Sequence, residues 1–186
     1  SFARKPSDIL LLRRKIQGSN KMIITKVEMP EALDNIEQII RLSDAVMVAR
    51  GDLAVELGNE KVPIAQKKII RLCNKSGRPV ITATQMLESM IENHSPTRAE
   101  VSDVANSIFD GTSAVMLSAE TAVGKNPVRV VEMMSNIIRE IEKENFGYFV
   151  DMGGDGLLSV GAAVIDAGIK AAVSVDAKAI VCLTHT

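Results

Sequence analysis

Two short apolar runs, each of strand length and each ending abruptly in an acidic residue, constrain the fold of this chain more than any other feature. The first run, Ile23–Glu28, carries Lys26 two residues before its acid, and the second, Ala45–Asp52, ends in Asp52. Residues two apart on a strand point to the same face, so Lys26 and Glu28 are expected to project together. If the strands are neighbours, two carboxylates lie over one spot, which suits Mg²⁺ or Mn²⁺ better than zinc. A lysine beside such a metal is suited to a phosphate or an enolate.

The alternation of strand and helix continues along the chain. Two more apolar runs of strand type, Pro79–Thr84 and Ala114–Glu120, also end in polar residues. Segments with helical periodicity follow the strands, and they begin near Pro30, near Glu60, at Thr97 with a capping box to Glu100, and at Asn126. Fully apolar strands that alternate with helices predict a parallel sheet covered by helices.

Polar residues at the carboxyl ends of successive parallel strands are typical of two α/β folds, the (β/α)8 (TIM) barrel and the doubly wound sheet. No glycine-rich turn of the dinucleotide-binding type follows any of the four strands, which favours the barrel. A complete barrel needs roughly 250 residues, whereas this chain has 186. We therefore expect residues 1–149 to form half of a barrel, and the chain to be a piece of a longer protein.

The last part of the chain, residues 150–186, has a different pattern. Asp151–Gly156 contains three glycines and is typical of a flexible linker. Leu157–Val173 is an alanine-rich segment with helical character, and Ala179–Thr184 has the composition of a buried strand. These features predict the first helix and strand of a second, C-terminal α/β domain.

Composition and charge exclude several classes of function. With 46% hydrophobic residues and a net charge of −1, the chain has no electrostatic basis for binding nucleic acid or a membrane surface. It contains no membrane-spanning run and no signal peptide pattern. Cys73 and Cys182 lie far apart, so we expect reduced thiols and a cytoplasmic protein. His94 and His185 form no cluster, which disfavours a histidine metal site.

Five motifs together resemble the pyruvate kinase family in their order and spacing. They are Ile24–Glu28, Met47–Leu53, Ile81–Met90, Pro96–Glu100 and Met116–Ala122. The resemblance, bacterial in style, implies the second half of the catalytic barrel, from the end of its fourth strand to its eighth helix, followed by the start of the C-terminal domain. It also implies transfer of the phosphoryl group of phosphoenolpyruvate to ADP, giving pyruvate and ATP in glycolysis, by a cytoplasmic homotetramer.

The resemblance assigns roles to the residues at the strand ends. Glu28 and Asp52 would hold the Mg²⁺ or Mn²⁺ ion, and Lys26 would offer a positive charge where negative charge grows during transfer. The family also uses K⁺, and the resemblance places the K⁺ ligands and most nucleotide contacts outside this chain. The polypeptide alone is therefore expected to be inactive.

Substrate binding and proton transfer are implied for a further set of residues. The implied substrate-binding residues are Lys26, Ala49, Gly51, Asp52 and Thr84. Amides of Gly51 and Asp52 at the start of a short helix would receive the substrate carboxylate. Thr84 would lie beside the carbon that is protonated, with Ser118 and Glu120 behind it in a proton path.

Simpler explanations exist for each residue taken alone. A lysine and a glutamate two apart commonly form an ion pair, Asp52 can be a helix N-cap, and Thr84 can cap a strand end. Arg50 is interpreted as a structural partner for a carboxylate. The joint occurrence of these residues at successive strand ends is what favours a catalytic site.

Two other classes of function remain open at the level of sequence. One is another Mg²⁺-dependent barrel enzyme that handles phosphoenolpyruvate or an acyl-CoA, such as a dikinase or a citrate-lyase-like enzyme. The other is a non-enzymatic half-barrel that acts as an interaction module.

Three departures from the family pattern concern fine geometry near the site: Val123 stands where some members carry a lysine, and Ala54 and Ala119 replace glycines.

Overall fold

Four parallel strands form one sheet in the computed structural model of the chain, which describes residues 1–143 and 160–182. The strands are β1 (Ile24–Val27), β2 (Ala45–Ala49), β3 (Val80–Ala83) and β4 (Ala114–Met116). Their spatial order is β1-β2-β3-β4, the same as their order in the chain. A doubly wound sheet reverses its strand order, so this uninterrupted sequential order agrees with a barrel segment and confirms the predicted α/β class with a parallel sheet.

Helices connect the strands and flank the sheet. The larger of two compact units, Ser1–Val150, contains α1 (Pro6–Lys15), α2 (Pro30–Asp34), α3 (Ile36–Leu42), α4 (Arg50–Leu57), α5 (Val62–Lys75), α6 (Arg98–Phe109), α7 (Ala119–Ala122) and α8 (Pro127–Lys143). Single 3₁₀ turns lie at Asn59–Lys61 and Glu88–Ile91. None of the helices in the described ranges is both long enough and apolar enough to cross a bilayer.

Of the three apolar clusters among the described residues, the two largest pack the strands and the segments after them against helices. The first packs β1 and β2 against α3 and α5, through the fully buried side chains of Val27, Ile39, Ile40, Val46, Val48, Ile69 and Ile70. The second packs the segment after β3 against α6 and α8, through Met86, Leu87, Met90, Val104 and Val130. Complete burial of one such side chain contributes about 1.5–3 kcal/mol. These clusters therefore fix where the strand ends lie.

The helix predicted to start at Pro30 is interrupted. The structure has two short helices, α2 and α3, which meet at Asn35 with φ −108° and ψ 13°. The Asn35 side-chain amide donates to the carbonyls of Glu31 and Arg4. An asparagine side chain competes with the backbone for helical hydrogen bonds, which explains a break that apolar periodicity alone does not reveal.

The fourth strand is shorter than its apolar run. It ends at Met116, and Glu120 lies in α7 rather than in an extended segment. Two residues separate β4 from α7, and Ser118 occupies the N-cap position of that helix. The turn into α7 therefore begins inside the sequence pattern that predicts a strand.

The smaller unit, Asp151–Thr186, is described only in part. Its helix α9 (Val160–Ser174) confirms the alanine-rich helix predicted there. The strand predicted at Ala179–Thr184 does not form over residues 179–182, because the described part of this unit offers no second strand for pairing. The linker predicted at Asp151–Gly156 and the end of the predicted strand lie outside the described residues, and the assignment of residues 150–186 to a C-terminal domain stays a prediction.

The capping box at the start of α6 is formed as predicted. The Thr97 hydroxyl accepts from the Glu100 amide at 3.2 Å, and the Glu100 carboxylate accepts from the Thr97 amide at 2.7 Å. The same carboxylate also accepts from the amide and the hydroxyl of Ser89, in the segment after β3. Glu100 therefore caps α6 and ties that segment to it.

Replacing Glu100 by alanine is expected to lower the free energy of unfolding by about 1–2 kcal/mol, because a helix cap and the bonds to Ser89 are lost together. Burial raises the pKa of Glu100, but the hydrogen bonds from Ser89 and Thr97 outweigh burial and lower it. A group whose pKa is lowered on folding stabilises the protein above its unfolded pKa and loses that effect as the pH falls through its folded pKa. The difference between wild type and Glu100→Ala in urea unfolding should therefore shrink in acid, whereas the exposed α8 control Glu132→Ala should show little effect at either pH.

The free 186-residue polypeptide is expected to self-associate. Among the described strands, β1 and β4 each have one edge without a paired strand, and the side chains of Met22 and Ile24 near the β1 edge are exposed. Unpaired edges and exposed apolar side chains promote association between chains. Light scattering that shows a stable, monodisperse 20.1 kDa monomer would contradict this prediction.

Candidate active site

The polar residues predicted to form a site do follow the carboxyl ends of the four strands. Glu28 comes directly after β1, α4 begins directly after β2, Thr84 follows β3, and Ser118 lies two residues after β4. In the pairing register, Val27 lies opposite Val48, and Ala49 lies opposite Ala83. Because the neighbouring strands are parallel and in close register, the residues that follow them reach one edge of the sheet.

Lys26 joins the two acids that the sequence singles out. Its Nζ atom lies 2.7 Å from an oxygen of Glu28 and 2.8 Å from an oxygen of Asp52. The Glu28 side chain is only 2% exposed, whereas that of Asp52 is 57% exposed. The second Glu28 oxygen accepts a hydrogen bond from the backbone amide of Phe2. The cluster therefore has a buried acid on one side and a solvent-facing acid on the other.

The charges in this cluster stabilise each other. Hydrogen bonds to Asp52 and then to Glu28 raise the pKa of Lys26 above its ordinary value. The hydrogen bond from Lys26 is the main cause that lowers the pKa of Asp52. At neutral pH the lysine is therefore a cation and Asp52 an anion, so one positive charge bridges carboxylates from two neighbouring strand ends.

The residues present fit a hard divalent cation. One oxygen from Glu28 and one from Asp52 both lie within hydrogen-bond distance of the Lys26 nitrogen, so the two carboxylates already converge on a single position. Mg²⁺ is commonly held by one or two carboxylates, with water and substrate phosphate oxygens as its other ligands. No group of three or more histidine, cysteine or acidic side chains with metal-binding geometry occurs in residues 1–143 and 160–182. The donor set thus matches magnesium or manganese rather than a structural zinc site.

A second set of contacts joins the start of α4 to the end of β3. The Gly51 amide donates to the Thr84 hydroxyl oxygen at 2.9 Å, and that hydroxyl donates to the Ala83 carbonyl at 2.6 Å. A Cβ atom on Gly51 would lie 3.5 Å from the Thr84 hydroxyl oxygen, an ordinary contact distance. Protein packing therefore does not require glycine at position 51. Ala49, the N-cap residue of α4, is fully buried beside this contact.

Arg50 has contacts that the sequence indicated only in part. Its buried guanidinium lies 2.6 Å from a carboxylate oxygen of Asp103 in α6, which agrees with the interpretation of Arg50 as a partner for a carboxylate. It also donates to the carbonyls of Thr84 and Gln85. Nothing in the spacing of Arg50 along the chain points to those carbonyls, because the contact depends on how the β3 segment turns.

Ser118 and Glu120 lie together at the end of β4. Glu120 is buried, and its carboxylate accepts from the Ser118 amide at 2.7 Å and from the Leu87 amide at 3.3 Å. Glu120 thus links the segment after β4 to the segment after β3, where its partner Leu87 lies three residues beyond Thr84. Within the described part of the chain, no hydrogen bond joins Ser118 or Glu120 to Lys26, Glu28 or Asp52. Side-chain contacts among the described residues therefore divide the predicted site into three groups rather than one connected network: Lys26 with Glu28 and Asp52, Gly51 with Thr84, and Ser118 with Glu120.

The cysteines take no part in this arrangement. Cys73 is buried in α5, and burial raises the pKa of its thiol to about 12. A thiol with that pKa is protonated at neutral pH and is a poor nucleophile. Cys182 is exposed, and both cysteines are free.

Comparison with known proteins gives one consistent family. A family model for the pyruvate kinase barrel domain matches residues 1–131. The chain is 46% identical over 191 aligned residues to a pyruvate kinase of Clostridium acetobutylicum, with 100% of this chain and 40% of that protein covered. It is 53% identical over 146 residues to a pyruvate kinase of Thermotoga maritima, with 77% of this chain and 31% of that protein covered.

The fold gives the same result as the sequence. A crystal structure of a pyruvate kinase from Cryptosporidium parvum superposes with a TM-score of 0.84 and 39% sequence identity, covering 95% of this chain and 38% of that chain. The chain therefore spans well under half of the length of the relatives it matches.

Proposed function

This chain belongs to the pyruvate kinase family, and on that basis we propose that the protein containing it transfers the phosphoryl group of phosphoenolpyruvate to ADP, giving pyruvate and ATP. The observation that best supports this proposal is the position of Lys26, held between the carboxylates of Glu28 and Asp52 at neighbouring strand ends. Phosphoryl transfer depends mainly on positioning and electrostatic stabilisation, and it needs cationic groups close to the transferred phosphate. An ammonium beside two hard ligands meets that need.

Glu28 and Asp52 are proposed to hold the divalent cation, Mg²⁺ or Mn²⁺. Once bound, the cation would draw negative charge from the phosphate and enolate oxygens of the substrate. The exposed side of Asp52 leaves space from which substrate and water oxygens can approach, while Phe2 and Lys26 fix the buried Glu28. K⁺ is proposed as a second cofactor from the family resemblance, with its ligands outside this chain.

Lys26 is proposed to stabilise the charge that develops during transfer. A lysine is protonated at neutral pH, and the two carboxylates raise the pKa of Lys26 further, so its positive charge is present before the substrate arrives. A charge that is already in place costs no reorganisation at the moment of reaction. Lys26 is therefore expected to act more on the transition state than on the bound substrate.

The start of α4 is proposed to receive the substrate carboxylate. Amides in the first turn of a helix have no acceptor within that helix. Gly51 and Asp52 lie in this turn and Ala49 is its N-cap; the Gly51 amide, which donates to the Thr84 hydroxyl, would be shared between that hydroxyl and the substrate. The missing side chain of Gly51 allows a ligand to approach the backbone. Thr84, whose hydroxyl already contacts the Gly51 amide, is proposed to lie beside the carbon that accepts the proton.

Ser118 and Glu120 are proposed to belong to the proton path that leads to Thr84. The Glu120 carboxylate accepts hydrogen bonds from the Leu87 amide after β3 and from the Ser118 amide after β4. Such contacts suit a residue that holds a proton path in place. The remaining assignments are proposals taken from the family as well: ADP as the second substrate, a homotetramer, a cytoplasmic location, and no role for nucleic acid or membranes.

The other functions considered from the sequence are less well supported. A dikinase or a citrate-lyase-like barrel would share the acids and the metal, but the family model that matches residues 1–131 is that of pyruvate kinase. A purely structural half-barrel gives no reason for a lysine held between two acids at the carboxyl ends of the strands. For the isolated 186-residue polypeptide, we propose no catalytic activity.

In a full-length pyruvate kinase that contains these residues, Asp52→Asn is expected to weaken Mn²⁺ binding and to lower kcat/KM by roughly a hundredfold or more, because a charged metal ligand becomes neutral. Mn²⁺ titration followed by electron paramagnetic resonance measures the first effect. Asp34→Asn, which neutralises an exposed acid on α2, is the matched control. Unchanged Mn²⁺ affinity and near-normal turnover in Asp52→Asn would rule out this ligand assignment.

Lys26→Met in the same protein is expected to lower kcat by on the order of a hundredfold while KM for phosphoenolpyruvate changes little, because the lost charge acts mainly in the transition state. Steady-state kinetics separates the two effects. Lys143→Met, which removes an exposed lysine paired with Glu140, serves as the control. A large rise in KM with kcat unchanged would make Lys26 a binding residue only.

A further inference from the structure

The turn that carries Thr84 has an unusual backbone. Thr84 has φ +68° and Gln85 has φ +54°, so two successive residues other than glycine adopt the left-handed conformation. For a β-branched residue such as threonine this conformation is a clear outlier. Such strain persists only where surrounding contacts hold it, and it is concentrated at functional sites.

Arg50 supplies the contacts that hold this turn. Its Nη2 atom donates to the Thr84 carbonyl at 2.7 Å and to the Gln85 carbonyl at 3.1 Å, and its Nε atom also donates to the Thr84 carbonyl at 3.2 Å. The two carbonyls belong to the two strained residues. A planar guanidinium with donors in a fixed fork can bond both carbonyls at once, which a lysine ammonium cannot reproduce.

Asp103 in turn orients Arg50. The Asp103 carboxylate lies 2.6 Å from Nη1, on the part of the guanidinium that does not face the turn. Arg50 is 8% exposed and Asp103 is 38% exposed, so the arginine is fixed from within the protein while its acid partner reaches the surface of α6. Removing the Asp103 charge should therefore loosen Arg50 without opening the core.

The side chain and the backbone of the α4 start act on the same threonine. The guanidinium of Arg50 bonds the Thr84 carbonyl, and the amide of the next residue, Gly51, bonds the Thr84 hydroxyl. The hydroxyl in turn donates to the Ala83 carbonyl. The carbonyl and the hydroxyl of Thr84 are therefore both held by consecutive residues, Arg50 and Gly51, at the start of α4. These contacts restrict the orientation of the hydroxyl.

We propose that Arg50 is a positioning residue for Thr84, and that Asp103 acts through Arg50 in the same role. This inference rests on the proposed part of Thr84 in protonating the enolate. The pair contacts no reacting atom in this scheme; it holds the strained turn that keeps the Thr84 hydroxyl at the start of α4, where the substrate is proposed to bind. Loss of the pair should harm proton transfer more than phosphoryl transfer.

The test uses the reverse of the protonation step. In D₂O with Mg²⁺ and K⁺ present, a full-length pyruvate kinase containing these residues removes a methyl proton from pyruvate to give the enolate, and returns a deuteron to the same carbon. Proton magnetic resonance of the methyl group follows this exchange, and consumption of phosphoenolpyruvate with ADP follows phosphoryl transfer. Arg50→Lys and Asp103→Asn should each slow exchange on the order of tenfold more than phosphoryl transfer, because a small displacement of a catalytic group has a large effect on rate.

A merely structural effect would look different. General loosening of the site should also weaken Mn²⁺ binding at Glu28 and Asp52. The proposal therefore requires the Mn²⁺ affinity of Arg50→Lys and of Asp103→Asn to stay within about twofold of the wild-type value. Arg13→Lys is the matched control, because Arg13 also pairs with an aspartate, Asp44, and bonds a backbone carbonyl. That variant should leave the ratio of exchange to phosphoryl transfer unchanged.

Thr84→Ala, alone and combined with Arg50→Lys, distinguishes the proposed role of Thr84 in proton transfer from the proposed positioning role of Arg50 and Asp103. If Thr84→Ala leaves exchange unchanged, the proposed role of Thr84 fails. If Thr84→Ala slows exchange but neither Arg50→Lys nor Asp103→Asn changes the ratio, only the positioning role fails. The proposal expects Arg50→Lys to add little to Thr84→Ala, since the hydroxyl it positions is already gone. Should Arg50→Lys not fold, Asp103→Asn alone decides the question.

Discussion

The register of the parallel strands is the constraint on which the rest of this structure depends. Val27 lies opposite Val48, and Ala49 lies opposite Ala83, so the residues that follow the strands come to one edge of the sheet. A shift of one residue between paired strands would turn every side chain to the opposite face. The two apolar clusters prevent such a shift, because the side chains that fill them alternate with those that face the site. The core is therefore what makes Lys26 and the two acids meet.

Burial is unequal across the polar cluster, and this inequality gives each member a different chemical character. Glu28 is almost fully enclosed and is satisfied by Lys26 and by the Phe2 amide, so it is fixed in place. Asp52 faces solvent and can change partners at low cost, since exposed ion pairs contribute little to stability. The cluster therefore combines one rigid carboxylate with one adaptable carboxylate.

The sequence predicted those features that depend on local patterns. The strands, the capping box at Thr97 and the long helices α5, α6 and α8 all follow from apolar periodicity and cap residues, and the meeting of Lys26 with Glu28 follows from the two-residue period of a strand. The break at Asn35 escaped prediction, because apolar periodicity does not reveal the side-chain bonds from Asn35 to the Glu31 and Arg4 carbonyls. The left-handed turn at Thr84 gave no signal either, since that conformation is usually marked by glycine. The contact between Arg50 and this turn could not be predicted, because it exists only after β2 and β3 have paired.

Gly51 shows how the demands of folding and of the proposed ligand binding differ at a single position. Its φ angle is not in the left-handed region, and a methyl group there would meet only ordinary contacts. Replacing glycine by alanine at a position whose backbone suits both stabilises a protein by about 0.4–1 kcal/mol, because it reduces the freedom of the unfolded chain. The glycine therefore makes this helix start less stable than the surrounding protein would allow. Sequence optimisation guided by stability alone would replace it, and would place a methyl group 3.5 Å from the Thr84 hydroxyl oxygen.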